Sequence, residues 1–244
     1  MSTVLYLVVP CYNEEETLPT TKDALTKLLE DMIKRDRISS KSRIVFVNDG
    51  SKDNTWNLIE KYSEENTLIK GIKLSRNKGH QNALLAGLMT VKDECDCAVS
   101  LDADLQDDIG AVEKMLEKYE DGCEIVYGVR SKREKDTLFK RATAQGFYKF
   151  MRFMGAEVVY DHADYRLMSR RALCELENFK EVNLFLRGIV PMIGFKTDTV
   201  LYERGIREHG ESKYPLKKML SFAIDGITSL SVKPIRFITM LGIL

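Results

Sequence analysis

The chain has 244 residues, 44% of them hydrophobic and 30% charged, which suits one large domain and excludes wholesale disorder. Its 37 basic and 37 acidic side chains cancel, so binding of nucleic acid through bulk charge is not expected. Five cysteines, an odd number, fit reduced thiols better than a disulfide framework, and none has the spacing of a zinc site. Residues Val4–Val9 form a continuous apolar run, as in a strand buried on both faces. The run is too short for a signal peptide and ends at Pro10. Residues 14–35 place Leu18, Leu25, Leu28, Leu29 and Met32 at helical spacing. A strand over Arg43–Val47, a helix over Asp53–Tyr62, a strand over Leu68–Leu74 and a helix over Gln81–Thr90 follow. Then come a strand over Cys97–Leu101, a helix over Ile109–Tyr119 and a strand over Glu124–Val129. This alternation predicts a parallel sheet with helices on both faces.

Beyond Val129 the character changes. Residues 130–152 hold eight basic side chains against Glu134 and Asp136, a net +6, with Phe139, Phe147, Tyr148, Phe150 and Phe153 interleaved or adjacent. Such a stretch is either a solvated face or a surface for anionic lipid. Residues 214–231 carry an apolar helical stripe from Leu216 to Leu230. Phe237–Leu244 is apolar to the last residue, which reads either as a helix packed on the domain or as the start of a membrane segment.

Four polar clusters each follow directly on a predicted strand. They are Pro10–Glu15, Asn48–Asp53, Ser75–His80 and Asp102–Asp108. Ligands of open α/β sheets bind outside the carboxyl ends of the strands, so these clusters line the expected binding edge. Asp102 and Asp104 are alternate residues and face the same way on an extended chain. Two carboxylates so placed repel unless a cation lies between them. A hard divalent ion fits, with Gln106 adding an amide oxygen. The plain alternative is a polar loop whose Asp107 or Asp108 caps the next helix. Asp49-Gly-Ser and Asn77-Lys-Gly read first as turns, although Asp49 could accept from a base N–H and Lys78 could meet a phosphate. No G-x-G-x-x-G, P-loop or G-x-S-x-G pattern occurs, which argues against a dinucleotide-binding oxidoreductase, a P-loop enzyme and an α/β-hydrolase. The histidines His80, His162 and His209 have no evident partner, and no role is assigned to them.

Together the clusters resemble the family 2 glycosyltransferases with the GT-A fold. The resemblance rests on Val8-Val-Pro-Cys-Tyr-Asn-Glu-Glu15, Val47-Asn-Asp-Gly-Ser51, Asp53-Asn-Thr55, Arg76-Asn-x-Gly79 and Leu101-Asp-Ala-Asp-Leu-Gln106. Asp164-Tyr-Arg-Leu-Met-Ser169, Arg187-Gly188, Pro191–Phe195 and Arg207-x-x-Gly-x-Ser-Lys-Tyr214 resemble the polyprenyl-phosphate branch, which includes bactoprenol glucosyltransferases and dolichyl-phosphate mannose synthases. The Q-x-x-R-W motif of processive polysaccharide synthases is absent.

The resemblance implies inverting transfer of one sugar from a nucleotide diphosphate-sugar to a polyprenyl phosphate. UDP-glucose is the favoured donor and GDP-mannose the alternative; a non-catalytic nucleotide-sugar binder is the reading from another class. Pro10, Tyr12, Glu14, Asp49, Lys78, Asp102 and Ala103 match the nucleotide pocket, and Arg207, Ser212 and Lys213 the diphosphate loop. Asp104 and Gln106 are the expected ligands of Mg²⁺ or Mn²⁺, with Asp104 also counted as catalytic. Asp164 matches the position of the family's base, with burial beside Arg166 as the structural alternative. Arg130, Arg133 and Arg141 are candidates for the acceptor phosphate. Residues 1–230 are expected to be the catalytic domain, with a nucleotide-sugar half over 1–129 and an acceptor and membrane-docking half over 130–230. Residues 231–244 would begin a membrane segment. The domain is expected on the cytoplasmic face, bound to membrane lipids and not to nucleic acid, with transmembrane helices further along the chain; a homo-oligomer is compatible with this.

Overall fold

A computed structural model describes residues 2–131, 162–180 and 184–203, with residues 239 and 242. The first nine elements alternate as the sequence predicts. They are β1 (Leu5–Cys11), α1 (Leu18–Lys34), β2 (Arg43–Asn48), α2 (Thr55–Glu65), β3 (Ile69–Lys73), α3 (His80–Val91), β4 (Cys97–Ser100), α4 (Ala111–Glu120) and β5 (Ile125–Arg130). Four elements follow that the periodicity did not announce: β6 (His162–Ser169), α5 (Arg170–Leu176), α6 (Leu186–Met192) and β7 (Thr197–Tyr202).

The strands form one sheet in the order β3-β2-β1-β4-β6-β5-β7. All neighbours are parallel except β6, which runs antiparallel to both β4 and β5. The two expected halves therefore share one sheet, because β6 from the second half lies between two strands of the first. The start of β6 also falls at the carboxyl ends of the parallel strands.

Alternate residues of β1 feed opposite faces, which is why its apolar run is unbroken. Leu5, Leu7 and Val9 join a core with Leu18, Leu25, Leu29 and Met32 of α1, Ile59 of α2 and Met115 of α4. Tyr6 and Val8 join a second core with Leu84 and Leu88 of α3, Leu173 of α5 and Ile189 of α6. Each such fully buried side chain contributes about 1.5–3 kcal/mol relative to exposure. Gly87 lets α3 approach the sheet: a Cβ there would lie 2.5 Å from Val8 Cγ1 and 2.7 Å from Val47 Cγ2.

Pro10 ends the apolar run but not the strand. The Val8 carbonyl accepts from Leu101 N–H and the Cys11 carbonyl accepts from Asp49 N–H, so successive residues face β4 and β2 in turn. Pro10 has its nitrogen on the β4 side, past Ser100, the last residue of β4. Its missing N–H thus costs no ladder bond.

Among the described residues no helix is long and apolar enough to cross a membrane. Most of the basic-aromatic stretch 130–152, the stripe 214–231 and almost all of the apolar tail lie outside the described residues.

Candidate functional site

The loops after β1, β2, β3 and β4 meet at one edge of the sheet. Much of their polarity is spent on each other. Asn13, at φ 54°, donates its N–H to Ser51 Oγ (3.0 Å), and Lys52 N–H returns to Asn13 Oδ1 (2.9 Å). Glu15 N–H donates to Asp53 Oδ2, while Asn54 N–H donates to Glu15 Oε2. Glu14 N–H donates to Thr55 Oγ1, and the Glu14 carboxylate accepts from Thr17 Oγ1 at 2.6 Å. Asp49 is buried and takes both N–H groups of the next loop, Lys78 at 2.6 Å and Gly79 at 2.9 Å. This fits the turn reading of Asp49. Gly50, at φ +65°, passes so close that a Cβ would stand 2.5 Å from the backbone of Arg76 and Asn77.

The remaining nucleotide-pocket candidates divide by exposure. Tyr12 is exposed on the β1 loop, and the Lys78 side chain is exposed. Pro10 is buried in β1, and Ala103 is buried with its carbonyl accepting from Thr21 Oγ1.

The Asp102–Asp108 loop leaves β4 and turns at Leu105, whose φ is 49°. Asp104 Oδ1 accepts from the Gln106 backbone N–H at 3.2 Å, a bond within the loop, and Gln106 itself is buried. Burial raises the Asp102 carboxyl to about 6; His80 opposes the shift, while Asp164, Asp107 and Asp104 add to it. The loop thus concentrates negative charge at one strand end. Asp107 does not cap a helix. It is buried and accepts from Tyr202 OH at 2.6 Å and from Arg130 at 3.3 Å. Arg130, an acceptor-phosphate candidate, is therefore already engaged by one carboxylate and by the Tyr202 hydroxyl. Asp108 Oδ1 accepts from Gly110 N–H just before α4.

Asp164 sits in a bulge. Tyr127 pairs with Arg166 and Val129 with His162, so β6 spends two extra residues across this step. The Asp164 carboxylate accepts from Arg166 at 2.5 Å and from Arg187 at 3.1 and 3.4 Å. Arg166 is itself buried and donates to the Leu186 carbonyl. Ser100 Oγ donates to the Asp164 and Arg166 carbonyls and fixes the bulge to β4. Burial alone would raise the Asp164 carboxyl, but Arg187, Arg166 and His80 outweigh it and hold it well below the usual carboxylate range. Asp164 is thus paired to Arg166, as the structural alternative had it, and to Arg187 as well.

His80 has partners that the sequence did not disclose. Its Nε2 lies 3.5 Å from Asp102 Oδ1 and 3.9 Å from Asp164 Oδ2. Arg187 was quoted only as part of a motif, and its pairing with Asp164 depends on α6 packing beside β6. Arg133, Arg141, Arg207, Ser212 and Lys213 lie outside the described residues. Among the described residues no cluster of three His, Cys, Asp or Glu side chains is placed to hold a metal ion.

The sequence matches the family description "Glycosyl transferase family 2" over residues 6–176. It is 57% identical over 239 residues to the uncharacterized glycosyltransferase YkoT of Bacillus subtilis (strain 168), covering 98% of this chain and 71% of that one. It is 37% identical over 238 residues to the prophage bactoprenol glucosyl transferase homolog of Escherichia coli (strain K12), covering 97% and 75%. Among solved structures, the mannosyltransferase PcManGT of Pyrobaculum calidifontis, in complex with GDP-Man and Mn²⁺, superposes with a TM-score of 0.57 at 16% identity. The match covers 93% of this chain and 70% of that one. TarS of S. aureus, in complex with UDP-GlcNAc, superposes with a TM-score of 0.55 at 15% identity, covering 91% and 66%. At such identities the likeness is one of fold, a mixed α/β architecture of GT-A type.

Proposed function

The chain belongs to glycosyl transferase family 2, and from that premise we propose that it moves glucose from UDP-glucose to a polyprenyl phosphate at a membrane surface, with inversion. The observation that carries the choice of acceptor is Asp164 held between Arg166 and Arg187. A sugar hydroxyl must lose a proton as it attacks, and its base works best with a pKa near the operating pH. Asp164 is held far below that. A phosphate monoester, with a second pKa of about 6, arrives mostly as a dianion and needs no strong base. Two guanidinium groups flank this one carboxylate, and cationic groups are of the sign that an anionic acceptor needs. Proteins named bactoprenol glucosyl transferase in E. coli and in Shigella phages, at 36–37% identity, support the same acceptor class and glucose.

In the reaction the bond from the anomeric carbon to the diphosphate breaks, and a bond to an acceptor phosphate oxygen forms on the opposite face. Asp104 and Gln106 would hold Mg²⁺ or Mn²⁺, with Asp102 beside them. This donor set fits an ion that takes one or two protein carboxylates and completes its shell with substrate phosphates. Burial, with a smaller push from Asp164, Asp107 and Asp104, disfavours the charged form of Asp102, and a cation beside it would favour that form. When bound, the ion would offset charge growing on the leaving diphosphate. Tyr12 would stack on the base, and Arg207 and Lys213 would close over the diphosphate. Arg133 and Arg141 would meet the acceptor phosphate from the basic stretch, which would also dock on anionic lipid.

The test is a panel of nucleotide sugars, UDP-glucose and GDP-mannose among them, each assayed with one short polyprenyl phosphate, with and without Mg²⁺ or Mn²⁺. Transfer of glucose from UDP-glucose, dependent on the ion, is expected. Mannose transfer from GDP-mannose alone would replace the donor. Faster transfer to a glycan hydroxyl than to the lipid phosphate would overturn the acceptor.

A further inference from the structure

We propose that His80 is a positioning residue that sets the donor side of the site against the acceptor side. The inference rests on the glycosyl-transfer reading of this edge and assigns to it a residue that the motifs leave without a role. The distances already place the imidazole between Asp102, at the end of β4, and Asp164, in the bulge of β6. The two carboxylate oxygens belong to different halves of the chemistry, one beside the proposed metal–diphosphate site and the other beside the acceptor. One ring nitrogen faces both.

Two other segments hold the chain around the ring. Asp49 receives the N–H groups of Lys78 and Gly79, the two residues before His80. Gly79, at φ 88° and ψ 152°, then turns the chain into α3, whose first residue is His80. A side chain at Gly79 would be strained at that φ. The adjacent Gln81 accepts the Leu186 N–H through Oε1 at 2.8 Å, and so holds the start of α6 next to Arg187. Residues 78–81 thus connect the β2 loop, the end of β4, the bulge of β6 and the start of α6. Asp164 is held by Arg166 and Arg187, and the imidazole reaches from it to Asp102. Without the imidazole this link between the end of β4 and the bulge of β6 is lost, and the donor sugar loses its alignment with the acceptor phosphate. Misalignment on the scale of 1 Å lowers the rate of the chemical step far more than it lowers binding.

The experiment compares His80→Phe, which keeps a ring and loses the nitrogen, with His80→Gln, whose amide nitrogen reaches nearly as far as Nε2. Turnover with UDP-glucose and a short polyprenyl phosphate is measured beside UDP affinity. His80→Phe is expected to lower kcat by about tenfold to a hundredfold with UDP affinity changed by less than about threefold, and His80→Gln to recover most of the loss. Turnover of His80→Phe within about threefold of wild type overturns the proposal. So does a fall in UDP affinity as large as the fall in kcat, and so does a His80→Gln variant as slow as His80→Phe. The UDP measurement also shows that each variant is folded.

A second readout needs no acceptor. The chain has three histidines, so the imidazole resonances of His80 can be assigned by substitution. Asp102→Asn and Asp164→Asn should each shift them, and a shift in only one variant overturns the bridge. If the wild type transfers nothing to polyprenyl phosphate while both variants shift His80, the acceptor reading fails and the bridge stands.

Discussion

Asp164→Asn tests the site where stability and chemistry meet. The substitution keeps the shape of the side chain and removes its charge. Arg166, whose side chain is 2% exposed, then keeps a buried positive charge beside an amide oxygen in place of the carboxylate, with the Leu186 carbonyl as a further acceptor. Among the described residues its Nε has no partner. Arg187, 43% exposed, can turn to water and adds little to the loss. Breaking a buried pair by neutralising one partner costs about 3–5 kcal/mol, and the retained amide oxygen brings the expectation to about 3 kcal/mol. The pH dependence has a definite sign. The folded-state pKa lies below the ordinary value of 3.8, so the carboxylate stabilises the fold above that value and loses its contribution as pH falls through and below it. Urea denaturation should therefore show a constant gap between wild type and variant from about pH 5 to 8, narrowing below about pH 4. At neutral pH turnover should fall further than UDP affinity does. A gap under about 0.5 kcal/mol, or one that widens in acid, would refute the counter-ion argument. A loss of UDP affinity equal to the loss of turnover would move Asp164 to the donor side.

Asp104→Asn should leave the fold intact and nearly abolish transfer, since losing a metal ligand and its charge removes about 3 kcal/mol or more of transition-state stabilisation; near-normal turnover at saturating metal would exclude Asp104 from the site. Gly50→Ala should destabilise by about 2 kcal/mol and weaken UDP binding, because φ +65° is strained for alanine and the new Cβ meets the Arg76 backbone at 2.5 Å. Unchanged melting and UDP affinity would show that the loop yields at no cost. Neutralising Lys132, Arg133, Lys140 and Arg141 should reduce flotation with anionic liposomes at low salt, at about 1 kcal/mol per charge, and lower activity on a lipid acceptor. Equal flotation and equal activity would place the docking surface elsewhere.

The first nine elements were legible because each obeys a single local rule. The runs that became β1 and β4 are buried on both faces, and α1 shows its buried stripe at helical spacing. β6 was hidden because it breaks such rules. Its polar and apolar residues alternate from His162 to Leu167, which reads as a strand with one wet face, yet it buries a carboxylate and a guanidinium, Asp164 and Arg166, along with Tyr165 and Leu167. β7 shows only Val200 and Tyr202 buried in an otherwise exposed edge strand, and α6 carries Pro191 near its end. The positions of the four clusters at the strand ends were legible, and they reach the expected edge. What each side chain does there was not. Asp49 reads in sequence as a turn or a nucleotide contact and Asp107 as a helix cap; in the structure Asp49 takes two loop N–H groups and Asp107 takes Tyr202 and Arg130. His80 looked unattached because its partners lie 22 and 84 residues further along the chain.

The division of labour among these polar groups bears on how the edge sorts its substrates. The residues that tie loop to loop, such as Asn13, Glu15, Asp49 and Asp53, make a rim whose backbone is fixed before any ligand arrives. The charges left facing the site are arranged with opposite signs on its two sides. Asp102 and Asp104 make the β4 side negative, which suits a cation carried in with a diphosphate. On the β6 side the guanidinium groups of Arg166 and Arg187 flank Asp164, cationic groups of a kind that suits an anion. Exchanging the two substrates would set a phosphate against paired carboxylates and a cation against two guanidinium groups, each a like-charge contact. On the proposed reading, the sign of the charged groups on each side would set which substrate lies where. It follows that enlarging the nucleotide pocket should change which donor binds without changing which side receives the acceptor, whereas reversing charge at Arg187 should impair the acceptor first.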